Sequence, residues 1–195
     1  MKKEYRKGEK AFDTVYPFMM ILYIPLKLLP AFVSRFLWAL FKDTPGYIGL
    51  GIRYVLLKRL CKSCGKNVAV FPSVYLKIGK NLKIGNHVSI REYSFVDGDA
   101  LSIGDNVMIS HSASVLSGSH YYDEKIPMRD LVKDTPIVIG NNVWIGAGAR
   151  IVGGNTIGDD VIIGANAVVT KSIPSNSVAV GVPAKVIKKV TDTIK

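Results

Sequence analysis

The chain contains few of the residues that most often reveal chemistry. Its 195 residues include only two cysteines, three histidines and two tryptophans. Cys61 and Cys64 form one CxxC pair, whereas a structural zinc site needs about four ligands. Neither cysteine lies in a sequence context typical of a nucleophile, and sparse cysteine fits a reducing compartment. The sequence therefore predicts reduced, structural thiols and no metal site.

Acidic residues are scarce, and the shortage is local. Residues 1–66 hold 13 Lys and Arg against 4 Asp and Glu, whereas the remainder holds 13 against 11. The basic residues flank an apolar stretch over residues 15–41, in which Pro17, Pro25 and Pro30 are expected to break any continuous helix. A spanning helix needs about 20 mostly apolar residues, so we expect no transmembrane pass. The stretch also has no small-residue cleavage site that would indicate a signal peptide.

Short helices in a membrane interface fit this segment better. Pro30 can open a helix over residues 31–42, and apolar spacing predicts another over residues 46–62. Basic side chains beside anchors such as Phe32 and Phe36 suit a surface of anionic head groups. The alternative is a cap that packs on the main domain or on neighbouring subunits. Nucleic acid is disfavoured, because the basic region is rich in apolar residues and contains no recognisable binding module.

The rest of the chain carries a six-residue repeat. Its C-terminal run of aliphatic residues comprises Ile139, Ile145, Ile151, Ile157, Ile163 and Val169. This period is typical of a parallel β-helix, since an α-helix repeats every 3.6 residues and a strand every two. Glycine follows four of these residues and is expected to permit sharp turns. An earlier run slips by one residue within 97–102 and comprises Ile78, Ile84, Ile90, Val96, Ile103, Ile109 and Val115.

The repeat divides the chain into two parts and one insertion. Residues 1–66 form the basic, apolar helical segment, and residues 67–195 form an all-β solenoid with a C-terminal cap over residues 175–195. Residues 116–136 do not repeat and interrupt the coils. Insertions in solenoids map to loops, and loops on a rigid scaffold commonly carry function. This insertion contains His120, so we expect the active site there.

The repeat resembles that of the hexapeptide-repeat acyltransferases, especially the sugar and capsular-polysaccharide O-acetyltransferases of the galactoside and maltose type. The resemblance is carried further by residues 141–146 (NNVWIG), 168–174 (VVTKSIP) and 181–187 (GVPAKVI). It implies a left-handed parallel β-helix with an N-terminal helical segment, one protruding loop and a short C-terminal helix. It also implies a homotrimer, with each active site between two β-helices, and acetyl-CoA as the co-substrate.

The catalytic residue implied by the resemblance is His120. Histidine, with an unperturbed pKa near 6.5, is suited to remove a proton from a sugar hydroxyl at neutral pH. Direct transfer then needs no acyl-enzyme. His87 and His111 are interpreted as surface or subunit-contact residues. Their spacing from His120 does not reproduce the zinc-binding histidines of the γ-class carbonic anhydrases, which resemble this fold.

Further contacts follow from the same resemblance. The family's acetyl-CoA contact positions correspond to Trp144, Ala147, Ala165, Thr170, Lys171, Lys185 and Lys188. The candidates for holding the acceptor are Asp97, Tyr121 and Arg129. The acidic candidates for orienting His120 are Asp97, Asp99, Asp123 and Glu124, and the sequence does not choose among them.

The predicted function is acetyl-CoA-dependent O-acetylation of a capsule, exopolysaccharide or O-antigen intermediate. Galactoside and maltose enzymes begin with a short polar helical region, which this chain replaces with an apolar, basic segment, so free-sugar specificity is not carried over. We expect a lipid-linked acceptor and a cytoplasmic protein at the membrane face. One alternative is N-acetylation of a soluble amino-sugar nucleotide, and another is a non-enzymatic β-helix scaffold.

Overall fold

Helices come first in the chain and short strands follow. The computed structural model describes residues 9–120, 122–125, 127 and 132–193. Three α-helices, α1 (Glu9–Leu28), α2 (Ala31–Phe41) and α3 (Gly46–Leu60), precede the strands. A 3₁₀ helix at Val190–Thr193 ends the described chain. The last of these elements is the predicted short C-terminal helix.

Most strands wind into a three-sided parallel β-helix of about five turns. Sheet A contains β1 (Ser63–Cys64), β4 (Lys83–Ile84), β7 (Leu101–Ile103), β12 (Ile137–Ile139) and β15 (Thr156–Ile157). Sheet B contains β2 (Ala69–Val70), β5 (Ser89–Ile90), β8 (Met108–Ile109), β13 (Trp144–Ile145), β16 (Val161–Ile163), β18 (Ser177–Val180) and β19 (Lys185–Lys188). Sheet C contains β3 (Tyr75–Lys77), β6 (Phe95–Asp97), β9 (Ser114–Leu116), β14 (Arg150–Val152) and β17 (Val168–Val169).

Three edges join these sheets, and each is named by the two sheets that its turns connect. Successive coils run from sheet A to B, from B to C and from C back to A, so the turns stack along an A–B, a B–C and a C–A edge. β1 already pairs with β4. The first coil therefore begins within residues 1–66, the predicted helical segment.

The aliphatic repeat forms the core. Ile90, Ile109, Ile145 and Ile163 lie on successive coils of sheet B, and all four are fully buried. Burying one such side chain contributes about 1.5–3 kcal/mol. The repeat therefore adds buried apolar contact at every coil.

The early run of the repeat differs from its prediction at one position. The slip within 97–102 is confirmed, because Val96 and Ile103 occupy equivalent places in consecutive strands, β6 and β7. Leu76, however, is the residue that pairs with Val96. Ile78 is buried in the turn after β3. The chain thus takes an additional two residues to pass from sheet C to sheet A there.

Close stacking explains the glycines of the A–B edge. A Cβ on Gly104 would lie 2.6 Å from the carbonyl oxygen of Gly140 in the next coil, and Gly85 is similarly pressed against Gly104. The expectation that these glycines relieve a sharp bend is therefore wrong. The left-handed backbone falls instead two residues later, on residues such as Asn106 (φ 60°) and Asn142 (φ 55°).

Side-chain oxygens of Asn and Asp form a ladder of hydrogen bonds along the same edge. The backbone N–H of Asn86 donates to Asp105 Oδ1 at 2.6 Å. The N–H of Asp105 donates to Asn141 Oδ1 at 2.8 Å, and that of Asn141 to Asp159 Oδ1 at 2.6 Å. A backbone N–H that is buried in a tight stack needs a hydrogen-bond acceptor. Each coil thus supplies a side-chain oxygen to a turn N–H of the coil beneath it.

The prolines do not break α1. It runs unbroken over Glu9–Leu28 with Pro17 and Pro25 inside it, so the predicted interruption is wrong. Tertiary packing outweighs the helix-breaking tendency, since Met19 is buried and the Phe12 ring meets Tyr54 edge-on at 5.2 Å. By length and composition alone, Lys10–Leu28 is apolar enough to cross a membrane.

The other two helices match their predictions closely, and Arg53 of α3 fixes them to the first coil. Its side chain is buried; Nε donates to the carbonyl oxygen of Val70 at 2.6 Å. One terminal nitrogen donates to the carbonyls of Lys42 and Thr44 at 3.0 and 2.7 Å, just beyond α2. Burial lowers the pKa of the guanidinium, and Asp43 opposes that effect. Arg53 thus joins α2, α3 and sheet B.

Candidate active site

The insertion leaves the solenoid at the C–A edge and forms a hairpin. Its strands, β10 (Gly118–His120) and β11 (Val132–Asp134), are antiparallel, and His120 pairs with Val132. At the base, the backbone N–H and the hydroxyl of Thr135 both donate to the Ser117 carbonyl, at 2.7 and 2.9 Å. The backbone of His120 is therefore held on a paired strand. Tyr121 and Arg129 lie outside the described residues.

Asp97 lies one coil below the point where the hairpin begins. A Cβ on Gly118 would be 3.4 Å from Asp97 Oδ2. The Asp97 side chain is 17% exposed; its Oδ1 accepts the N–H of Asp99 at 3.2 Å and is 3.8 Å from Lys77 Nζ. Lys77 also pairs with Asp99. Among the candidates for orienting His120, these two aspartates lie beneath the hairpin, whereas Asp123 and Glu124 are exposed on it.

Ser117 is a residue of this site that the sequence does not reveal. Its side chain is fully buried, and its hydroxyl has no hydrogen-bond partner among the described residues. An unsatisfied buried hydroxyl is costly and calls for an explanation, such as a ligand or an ordered water. The only sequence signal is its place three residues before His120.

Thr170 and Lys171 share the C–A edge with the hairpin. They follow β17 in the last turn from sheet C to sheet A, two coils above the insertion, and both are exposed. A lysine here can bind phosphate as a mobile point charge. These two predicted acetyl-CoA residues thus lie on the same edge as the predicted base.

Other predicted acetyl-CoA residues lie on sheet B and on the B–C edge. Trp144 on β13 is 48% exposed, and its Nε1 donates to Ser110 Oγ at 2.9 Å. Ala147 and Ala165 occupy successive B–C turns and are exposed, so no side chain beyond Cβ covers the backbone there. This open backbone fits the extended arm of coenzyme A.

Lys185 and Lys188 lie on β19, the antiparallel strand that ends sheet B, and both are exposed. Thr170 and Lys171 therefore stand at one border of sheet C, whereas Ala147 and Ala165 stand at its other border. One prism does not gather the seven predicted residues into a single groove.

The remaining histidines occupy turns. His87 has φ 57°, and its Nδ1 lies 3.2 Å from Asn67 Nδ2, also on the A–B edge. His111 is on the B–C edge, where its Nε2 lies 3.0 Å from Glu92 Oε2. Among the described residues, no group of three or more His, Cys, Asp or Glu could hold a metal ion.

Comparisons with known proteins agree with this architecture. Residues 136–171 match the family model described as bacterial transferase hexapeptide (six repeats). The galactoside O-acetyltransferase of Escherichia coli (strain K12) is 40% identical over 144 residues, which span 73% of this chain and 71% of that protein. The putative colanic acid biosynthesis acetyltransferase WcaF of the same organism is 32% identical over 148 residues, spanning 72% and 76%.

A solved structure has the same fold. The galactoside acetyltransferase in complex with coenzyme A aligns with a TM-score of 0.72 and 34% identity, covering 87% of this chain and 83% of that one. The predicted fold class is thereby confirmed, including its N-terminal helices and its inserted loop. The chain belongs to the hexapeptide-repeat acetyltransferases, and its solenoid is their left-handed parallel β-helix.

Proposed function

We propose that the chain transfers the acetyl group of acetyl-CoA to a sugar hydroxyl of a surface-polysaccharide intermediate. The observation that carries this proposal is the paired hairpin, which fixes the backbone of His120 at the C–A edge above Asp97. The coenzyme A complex of galactoside acetyltransferase supports acetyl-CoA as the co-substrate. Similarity to WcaF supports a polysaccharide precursor as the acceptor.

In this proposal His120 is the general base. It accepts the proton of the acceptor hydroxyl as that oxygen attacks the acetyl carbonyl, and the carbon–sulfur bond breaks to release the thiol of coenzyme A. The carboxylate of Asp97 favours the imidazolium that forms, because opposite charges attract strongly in a partly buried site. Cys61 and Cys64 lie at the start of the first coil, two coils below the hairpin, so direct transfer is favoured over an acyl-enzyme.

We further propose a homotrimer, because sheet C connects the two edges that carry the predicted acetyl-CoA residues. Its outer surface exposes Tyr75 and Phe95, whose rings stack at 4.6 Å. Packing this sheet around a threefold axis would bury those rings. The same packing would bring the C–A edge of one protomer beside the B–C edge of the next, which completes the site.

We also propose that the protein is cytoplasmic and binds the membrane face through residues 15–41. Phe18, Phe32 and Phe36 are exposed on α1 and α2. The opposite side of α1 packs on α3 through Met19 and Tyr16, so we expect it to lie along the membrane surface. The net positive charge of residues 1–66 suits anionic lipid. Co-sedimentation with anionic vesicles, weakened in Phe32→Ser/Phe36→Ser, tests this contact.

Acetyl transfer is tested by thiol release from acetyl-CoA against lipid-linked glycans, free sugars and amino-sugar nucleotides. His120→Ala should lower kcat by about 10²–10⁴-fold, the usual contribution of a general base. His87→Asn is the matched control, since asparagine suits the left-handed turn at that position. We expect this control to retain wild-type turnover.

Two outcomes would redirect the proposal. Turnover confined to amino-sugar nucleotides would favour N-acetylation, with a soluble acceptor and an N-terminal segment that serves only as a cap. No turnover with any acceptor, together with no coenzyme A binding, would favour a non-enzymatic scaffold. Retention of full activity in a monomeric preparation would contradict the shared site.

A further inference from the structure

A groove of about 710 Å³ lies between α1, α3 and the lowest turns of the B–C edge. Val15 and Met19 contribute from α1, Leu50 and Gly51 from α3, and Phe71 from the first B–C turn. The volume falls within the roughly 300–1,000 Å³ typical of small-molecule sites. We call this feature the apolar groove, because hydrocarbon side chains form most of its wall.

Charged side chains line the apolar groove at one end. Arg91 and Glu92 belong to the second B–C turn, and the Arg91 guanidinium lies 3.9 Å from the centre of the Phe71 ring. Glu92 Oε2 lies 3.2 Å from Arg91 Nε and 3.0 Å from His111 Nε2. This charged end therefore continues into the third B–C turn.

The charged end points along the edge that carries part of the predicted acetyl-CoA site. The carbonyl oxygen of His111 accepts the N–H of Gly148 at 3.0 Å, in the turn that also contains Ala147. Trp144 bonds to Ser110, the neighbour of His111. The polar part of a ligand in the apolar groove would thus lie one or two coils below Ala147.

Exposed apolar side chains lie in and beside the groove. Tyr47 lines the groove and is 82% exposed, Ile48 beside it is also exposed, and Phe18 is exposed on α1. These residues belong to the segment with the large excess of positive charge. A ligand that suits these surroundings is apolar along its length, enters from the side of a membrane and carries a polar group that meets Arg91 and Glu92.

We propose that the apolar groove binds the hydrocarbon chain of an amphiphilic acceptor and directs its head group along the B–C edge. This inference rests on the proposed acetyl transfer and specifies its acceptor as a lipid-linked sugar. A nucleotide sugar would need many hydrogen-bond partners, whereas the groove wall is mostly apolar. The hydrophobic effect suits a chain, since its gain grows with the apolar area removed from water.

Gly51 is the position at which the groove can be filled without disturbing the helix. A Cβ added there meets only Met19 Sδ, at 3.5 Å, which is ordinary contact. Gly51→Phe should therefore occupy the groove, and Gly51→Ala is the matched control. The probe is pentadecyl phosphate with a photoreactive diazirine at the end of its chain, presented to the full-length protein in phosphatidylcholine vesicles.

Mass spectrometry of the cross-linked protein decides whether the groove binds a chain. We expect labelling at Met19 and Leu50 that falls at least about tenfold in Gly51→Phe, because the chain loses its buried methylene contacts. Gly51→Ala should leave this labelling unchanged, and labelling at the exposed Phe36 should be equal in all three proteins. Equal labelling of groove and surface residues, unaffected by Gly51→Phe, would overturn the inference. So would a change of oligomeric mass in Gly51→Phe without groove labelling, since a second copy would then be the occupant.

Turnover decides whether that chain belongs to the acceptor. With methyl and dodecyl glycosides of one accepted sugar, Gly51→Phe should raise KM for the dodecyl compound only. Equal KM values for both compounds in the wild type would overturn the acceptor assignment. Groove labelling without turnover of any glycoside would instead count against acetyl transfer itself, so the two failures are distinguishable.

Discussion

The solenoid and the N-terminal helical segment are stabilised in contrasting ways. In the solenoid one set of contacts recurs from coil to coil, with buried aliphatic residues such as Ile109 and Ile145 inside and the Asn and Asp ladder along the A–B edge. The helices contact the first coils through individual groups that do not recur. Arg53, for example, joins the carbonyls after α2 to the first strand of sheet B.

This contrast predicts that the solenoid tolerates single substitutions better than the helical segment does. In a solenoid each coil contacts only its neighbours, so stability is roughly a sum over coils and interfaces. One altered core residue then weakens a module that others still support. The contacts of the helical segment do not recur in this way. The segment also lines the apolar groove and carries the exposed aromatic residues. Acceptor recognition, as proposed above, can thus change there without altering the coils.

The largest effect is expected at Arg53, where the two regions meet. Arg53→Met keeps much of the apolar stem but leaves the carbonyls of Val70, Lys42 and Thr44 without this donor. We expect the free energy of unfolding to fall by about 3 kcal/mol, roughly 1 kcal/mol for each carbonyl that loses its donor. Hydrogen–deuterium exchange should show this loss as faster exchange of the backbone amides in α2 and α3. The amides of the coils above β8 should exchange at nearly unchanged rates.

Arg35→Met is the matched control, since that exposed side chain donates once, to the carbonyl of Ile78 at 3.2 Å. It should cost no more than about 1 kcal/mol. Equal loss of protection in the upper coils and in α2 would refute the proposed independence of the two regions.

Glycine to alanine substitutions should have opposite signs in the two regions. Gly104→Ala forces a Cβ against the backbone of Gly140, and we expect a loss of about 1–3 kcal/mol from overpacking. Gly51→Ala in α3 meets no such contact and should gain about 0.5–1 kcal/mol, because alanine loses less backbone entropy on folding. Chemical denaturation of both variants measures the difference, and a stabilised Gly104→Ala protein would contradict the close stacking.

The sequence predicts the solenoid well because its signal is repeated. Ile139, Ile145 and Ile151 have one environment in three consecutive strands, and a period of six has few structural explanations. The error in the helical segment arises where a residue has no repeated counterpart. Pro17 and Pro25 suggest breaks, yet the packing of α1 on Tyr54 is a tertiary effect that local propensity does not contain.

The candidate site is less predictable than the fold for the same reason. His120 is marked by its place in the insertion and by family resemblance. Ser117 is buried where its carbonyl accepts hydrogen bonds from Thr135, eighteen residues away, and no local pattern encodes that pairing. The separation of Thr170 from Ala147 onto two edges follows only from counting strands around the coil. Residue spacing alone does not reveal that these two predicted positions lie at opposite borders of sheet C.

The smallest effect is expected in the side-chain ladder, at Asp105. Its carboxylate accepts the backbone N–H of Asn86 and then the side-chain amide of the same residue, and these bonds lower its pKa. A lowered pKa in the folded state means that the stabilisation is complete above the unfolded value of about 3.9 and is lost as the pH falls through the folded value.

Asp105→Asn keeps an acceptor for the Asn86 N–H, as Asn141 does in the next coil, and removes only the charge. We expect a loss below about 1 kcal/mol at pH 7, because the group is only partly buried and solvent screens its charge. Urea unfolding of the wild type and the variant should give midpoints that converge as the pH falls from about 4 through the lowered pKa of the folded carboxylate, below which the wild-type group is also neutral. A gap that stays constant down to acid pH would show that the ladder depends on hydrogen-bond geometry alone and that charge contributes nothing to it.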